Sequence, residues 1–140
     1  MESIEFDGCK VALFRNDHLL VYLRDDNPNI KAPNMWDLPG GGREGKETPE
    51  ECVLRELEEE FGLVMSPDRL IYRKRYYREH LKSTAYFFGG IIHQSEIDDI
   101  SFGSEGQYWT MMHIDEYLAN PKVVERHKQR MRDYLERGDT

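Results

Sequence analysis

The spacing of apolar and polar positions changes several times along the chain, and each change marks an element. The stretch "CKVALFRNDHLLVYLRDD" holds two runs rich in branched and aromatic residues, 9–14 and 18–24, separated by Asn16 and Asp17. That pattern predicts two strands joined by a short turn. "NPNIKAPN" (27–34), with its prolines and asparagines, predicts a loop, and "MWDLPGGG" a short strand entering a glycine turn. A helix is predicted from Thr48 as N-cap, with Pro49 at its first position and Glu51 three residues after the cap. Gly62 closes it. "RLIYRKRYYREH" and "STAYFFGGIIH" read as paired strands and "GQYWTMMHI" as another. "NPKVVERHKQRMRDYL" predicts a second helix, capped by Asn120 with Pro121 at its first position. Its apolar stripe is Val123, Val124, His127, Met131, Tyr134 and Leu135. Strands, helix, strands and helix in that order predict an α/β or α+β sandwich, with helices covering a mixed sheet.

Composition narrows the picture. At 140 residues, with no internal repeat or linker, the chain is expected to be one domain over residues 1–140 with a core of its own. No apolar run is long enough to span a bilayer. The start "MESIEFDGCK" has neither a basic nor an apolar leader segment, so a cytoplasmic location is expected. Cys9 and Cys52 show no metal or redox spacing and read as two reduced thiols. A net charge of −8 argues against stable nucleic-acid or membrane binding. Phosphates would then need local basic groups or metal ions.

The segment from Gly41 to Leu63 carries eight glutamates. On a helical wheel Glu56, Glu59 and Glu60 share an arc of about 100°. Val53, Leu54, Leu57 and Phe61 form an adjoining apolar face, Glu58 points away, and Arg55 borders the carboxylates. Such a triad suits a hard divalent cation such as Mg²⁺. Helix composition alone favours an ordinary solvated acidic face. Spacing tips the balance the other way: Gly41, Glu47, Arg55, Glu56, Leu57, Glu59, Glu60, Gly62 and Leu63 fit G-x5-E-x7-R-E-U-x-E-E-x-G-U, with U aliphatic. A chance match in a chain this long is on the order of one in a million.

This pattern resembles the signature of the Nudix hydrolases, and "WDLPGGG" and "SEGQYW" resemble segments flanking it in MutT-type members. The resemblance implies an α/β/α sandwich in which the box forms a loop–helix–loop. It also implies hydrolysis of a nucleoside diphosphate linked to another moiety, with Mg²⁺ or Mn²⁺. Glu56, Glu59 and Glu60 map onto the metal-binding glutamates, with a carbonyl of the Gly40–Gly41 turn as a further ligand. Arg55 and Glu47 map onto positions that brace the loop and helix. Glu105 resembles a loop glutamate that completes the metal shell or takes a proton from the attacking water; Glu96, Asp98 and Asp99 compete for that role. Arg24 resembles an arginine that contacts substrate phosphates, a solvated strand end being the alternative. Asn120 resembles a base-reading asparagine, although helix capping accounts for it adequately. "RKRYYR" offers phosphate contacts or an outer strand face with Tyr76 or Tyr77 in the core. The histidines lack ligand-like spacing.

The expected substrate is a small nucleotide, a (deoxy)nucleoside triphosphate first, including an oxidised one such as 8-oxo-dGTP, acted on by a monomer or homodimer. ADP-ribose, dinucleoside polyphosphates and capped RNA are alternatives, although no strong basic tract favours RNA. The ADP-ribose option is lowered because "YYREHLK" lacks the proline that many ADP-ribose hydrolases carry past the box. A non-catalytic nucleotide sensor on the same fold is disfavoured by the intact box.

Overall fold

A turn through Asn16, held in the left-handed region at φ 55°, folds β1 (Gly8–Arg15) back on β2 (His18–Leu23). The computed structural model describes residues 5–137. Along β1 the side chains alternate between two faces, as the strand period requires. Cys9, Val11 and Leu13 enter one buried cluster, and Ala12 enters the other. The short strands β3 (Trp36–Asp37) and β4 (Gly40–Gly42) follow, then α1 (Pro49–Phe61), β5 (Leu70–Arg78) and β6 (Ser83–Ile91). The remaining elements are α2 (Gln94–Asp98), β7 (Tyr108–His113), α3 (Ile114–Ala119) and α4 (Glu125–Leu135).

The sheet runs β3-β2-β1-β6-β5, with β4 added to β1 and β7 to β2. Among the strand pairs of the described residues only β1–β6 is parallel, so the sheet is mixed. β2 pairs with β1 only beside the turn, at Phe14 and Arg15, while β4 takes the same edge at Gly8, Cys9 and Lys10. The two long strands therefore diverge away from the turn, and the glycine strand seats itself in the opening. α1 covers one face through Val53, Leu57 and Phe61, and α3 and α4 cover the other through Tyr117, Met131 and Tyr134. The result is the expected α/β/α sandwich.

α1 has the predicted ends. Thr48 accepts from Glu51 N and the Glu51 carboxylate accepts from Thr48 N, while Gly62 closes the helix at φ 67°. The second predicted helix departs from expectation. It begins at Glu125 with Val124 as its N-cap, not at Asn120. Trp36 N donates to Lys122 O at 2.7 Å and Val123 forms a parallel bridge with Trp36, while Val123 N donates to Asn120 O, so 121–122 form a turn tied to β3 instead of a first helical turn. Asn120 instead ends α3, a helix the periodicity did not reveal, and its Oδ1 accepts from Lys122 N. Leu135, assigned to the apolar stripe, is exposed. Tyr76 is half-buried against the α4-side core, whereas Tyr77 is exposed. Among the described residues no helix is long and apolar enough to cross a membrane.

Candidate active site

Burial of Val53, Leu57 and Phe61 fixes the rotation of α1 about its axis, which turns Glu56 and Glu60 toward the glycine strand. Glu60 is 8% exposed, and its Oε1 accepts from Gly40 N at 3.0 Å. Gly41 lies against Glu56 so closely that a Cβ there would stand 2.5 Å from Glu56 Oε2. The glycine is needed at this point because the carboxylate occupies the space of a side chain. The Gly41 carbonyl lies 3.8 Å from each of the Cys9 and Cys52 thiols, which are themselves 3.0 Å apart.

Arg55 binds this region together. Its guanidinium donates to Glu47, to Glu59 at 2.9 Å and to Gly42 O at 2.9 Å, with Glu56 at 3.5 Å. It therefore ties the helix to the preceding loop, a bracing position. Glu58 is exposed, as the wheel predicts.

Burial pushes the Glu60 carboxyl up to about 8, against the pull of the Gly40 N–H and Lys10. Burial also raises Glu56; Arg55 opposes this, while Glu59 and Glu105 add to it. Two adjoining carboxyls thus resist ionisation for want of positive charge, a donor set that fits a divalent cation. Among the described residues, no three His, Cys, Asp or Glu side chains already converge closely enough to hold one. Arg55 holds Glu59 and Gly40 holds Glu60.

Glu105 joins the three helix glutamates across the chain. With Gly103 and Ser104 it lines, opposite Glu56, Glu59 and Glu60, a hollow of about 210 Å³. The loop is tied to the end of α1, since Gly103 N donates to Glu60 O at 2.8 Å and Ser101 N to Phe61 O at 3.0 Å. Of its competitors, Glu96 is paired with Arg69 at 2.8 Å and Asp98 accepts from Gln94; neither lines this hollow.

Glu105 also borders a second hollow with Tyr22 and Arg24, and Arg24 in turn borders a third, of about 340 Å³, between sheet and α4. Arg24 donates to Lys31 O at 3.0 Å and to Asp37 at 3.3 Å. Asp37 is buried, which alone would raise its pKa, but Lys10 at 2.8 Å and His127 hold it below the usual carboxylate range. Burial pushes His127 down to about 4, so it is neutral near pH 7, and its Nδ1 has no hydrogen-bond partner among the described residues. Six cationic side chains, Lys10, Arg24, Lys31, Arg78, Arg126 and Arg130, line this cavity against two acidic ones, Asp7 and Asp37. Asn120 lines none of these three hollows. Of the cationic set, the sequence singled out Arg24 and, within "RKRYYR", Arg78. Lys10, Arg126, Arg130 and the buried Asp37–His127 pair gave no local signal, because pairing of distant segments brings them together.

A family model described as the NUDIX domain matches residues 8–134. The chain belongs to the NUDIX family of hydrolases. Among curated NUDIX relatives, an 8-oxo-dGTP diphosphatase of Haemophilus influenzae is 31% identical over 120 residues, covering 81% of this chain and 85% of that one. An RNA pyrophosphohydrolase of Zymomonas mobilis is 39% identical over 72 residues, covering 51% of this chain and 43% of that longer protein. Among solved structures, a bifunctional NMN adenylyltransferase/ADP ribose pyrophosphatase from Francisella tularensis, complexed with AMP and a Mn ion, superposes with a TM-score of 0.74. It is 20% identical and covers 97% of this chain and 42% of that one, a likeness of fold.

Proposed function

We propose that this NUDIX chain is a pyrophosphohydrolase that cleaves a nucleoside triphosphate to the monophosphate and pyrophosphate, using Mg²⁺ or Mn²⁺. The observation that carries the reading is that a carboxylate-lined hollow and a cationic cavity adjoin through shared rim residues. Four carboxylates line one hollow, Glu105 is shared with a second, and Arg24 is shared between that second hollow and a cationic cavity between sheet and α4. An acidic cluster alone would repel a polyphosphate; the cationic cavity beside it supplies the opposite charge for the rest of the nucleotide.

Glu56, Glu59 and Glu60 would hold the divalent ion, with Glu105 closing the shell. When bound, the ion supplies charge neutralisation at the phosphates and a lower pKa for water. Glu105, exposed at the rim, is placed to accept the proton of an attacking water. Arg24 and Lys10 bind phosphate oxygens, and the nucleoside enters the cavity beside Trp36 and His127. Arg55 holds Glu59 and Glu47 in register and touches no substrate. An oxidised purine triphosphate such as 8-oxo-dGTP belongs to this substrate class, consistent with the Haemophilus relative. The base would be read by cavity-lining groups other than Asn120, whose side chain is engaged with Lys122 N.

A nucleotide panel assayed for pyrophosphate release with Mg²⁺ tests the reading. Turnover of triphosphates well above that of ADP-ribose is expected. Glu59→Gln or Glu60→Gln nearly abolishes activity in folded protein. Glu105→Gln lowers kcat by roughly 10²-fold or more, the scale of a lost general base, while Glu96→Gln, Asp98→Asn and Asp99→Asn change it little. Full activity of Glu59→Gln at saturating Mg²⁺ overturns the assignment.

A further inference from the structure

Arg130 is 7% exposed, yet its guanidinium has no carboxylate partner among the described residues. It stacks over Tyr76, 4.7 Å from the ring centroid, which satisfies one face of the guanidinium but none of its N–H donors. Arg126, one turn earlier on α4, and Arg78, at the end of β5, line the same cavity and make no ion pair among the described residues. The Arg78 Nε is buried and has no hydrogen-bond partner there either. The nearest acid on the helix is already taken: Asp133 accepts from Tyr76 OH at 2.6 Å and lies 3.5 Å from Lys74. Burial first, then the charges of Arg126 and Arg78, push the Arg130 guanidinium down to about 10. A chain of net charge −8 has acids enough to pair them. A buried cation left unpaired is expensive, so a site that sets buried Arg130 beside half-buried Arg78 and exposed Arg126, none of them in an ion pair among the described residues, is built for an anion.

The position of that anion follows from the sheet. Gly41 and Gly42 lie on β4, which pairs with β1, then β6, then β5 carrying Tyr76 and Arg78. Three strand spacings of roughly 4.8 Å separate the glycine strand from β5 and its Arg78, about 14 Å in all, and Arg126 and Arg130 line the same cavity from α4. A nucleoside spans such a gap, whereas a diphosphate held at the carboxylates does not. We propose that Arg78, Arg126 and Arg130 bind a second phosphate group, carried on the ribose hydroxyl side of a nucleotide whose 5′-polyphosphate lies at the carboxylate end. This deepens the reading above and rests on it for orientation. The second phosphate is a monoester on a mononucleotide or the diester that continues into an RNA 5′ end; three guanidiniums recognise either.

Calorimetry on the full chain without metal compares adenosine 3′,5′- and 2′,5′-bisphosphate with adenosine 5′-monophosphate. At least one bisphosphate is expected to bind about 10- to 100-fold more tightly, the worth of one or two charge-assisted hydrogen bonds. The ratio should fall in Arg126→Gln and Arg130→Gln and come within about threefold of unity in the double variant. Arg126 is exposed, so its substitution tests the site even where replacing the buried Arg130 costs stability. With Mg²⁺, kcat/KM for a 5′-triphosphorylated dinucleotide against a 3′-phosphorylated nucleoside triphosphate separates the two sources. Equal affinity for bisphosphate and monophosphate, or a preference that survives in the double variant, overturns the proposal. A bisphosphate preference in a protein that turns over no nucleotide would sink the hydrolase reading and leave this one standing. Turnover of plain triphosphates without that preference would do the reverse.

Discussion

His127 shows how far one residue's role depends on its surroundings. On the sequence it is one position of an apolar stripe; in the fold it is buried 3.7 Å from Asp37 in the cationic cavity. Its folded pKa, about 4, lies below the ordinary histidine value of 6.5. The unfolded chain therefore takes up a proton before the folded one does as pH falls. Stability is lost beginning near pH 6.5 and the loss is complete near pH 4, with nothing lost above that window. The full difference is about 3 kcal/mol at 1.36 kcal/mol per unit. Urea unfolding at pH 7.5 and pH 4.5 should show wild type losing more stability than His127→Gln by about 2 kcal/mol. Equal losses would mean that the ring is hydrated and titrates normally.

At the scale of elements, α1 couples folding to the site through its ends. The Thr48–Glu51 cap fixes where the helix starts, the apolar face fixes its rotation, and together they place three glutamates beside a glycine strand. Thr48 itself touches none of the carboxylate hollow. Thr48→Ala should therefore lower stability by about 1 kcal/mol, as for other lost caps, and leave kcat at 25 °C unchanged. A fall in kcat at full folding would show that cap geometry reaches the carboxylates. α4 behaves differently. Its expected cap at Asn120 failed because sheet pairing at Trp36 took up the residues that would have formed its first turn.

For the whole molecule, charge is distributed unevenly over three adjoining hollows, acidic toward α1 and cationic toward α4. Carboxyls that resist ionisation when buried gain most from a bound cation, so metal binding should stabilise the folded state. Thermal unfolding with Mg²⁺ at about 100 times its Kd should show a gain of about 2.7 kcal/mol over chelated protein. Glu59→Gln/Glu60→Gln should lose that gain and, under chelation, be equal to or more stable than wild type. Identical melting of wild type with and without metal would remove the carboxylate cluster as the metal site.

Local sequence was enough for most of the strands, the acidic helix with both its ends, and the glutamates on one arc, because each depends on periodicity or on residues a few positions apart; Gly40–Gly42, expected as a turn, is a strand because it pairs with β1. The box spacing reached family and fold for the same reason: it is written in one continuous stretch. Glu105 was legible through its glycine-flanked segment, although its place opposite Glu56, Glu59 and Glu60 depends on hydrogen bonds to the end of α1. The remaining features exist only once the chain has folded. Lys10 meets Asp37 across 27 positions, Cys9 meets Cys52 across 43, and Arg78 meets Arg126 and Arg130 only where β5 lies beside α4. No periodicity encodes such meetings. They follow from strand order in the sheet, and strand order is set by burial of both faces at once.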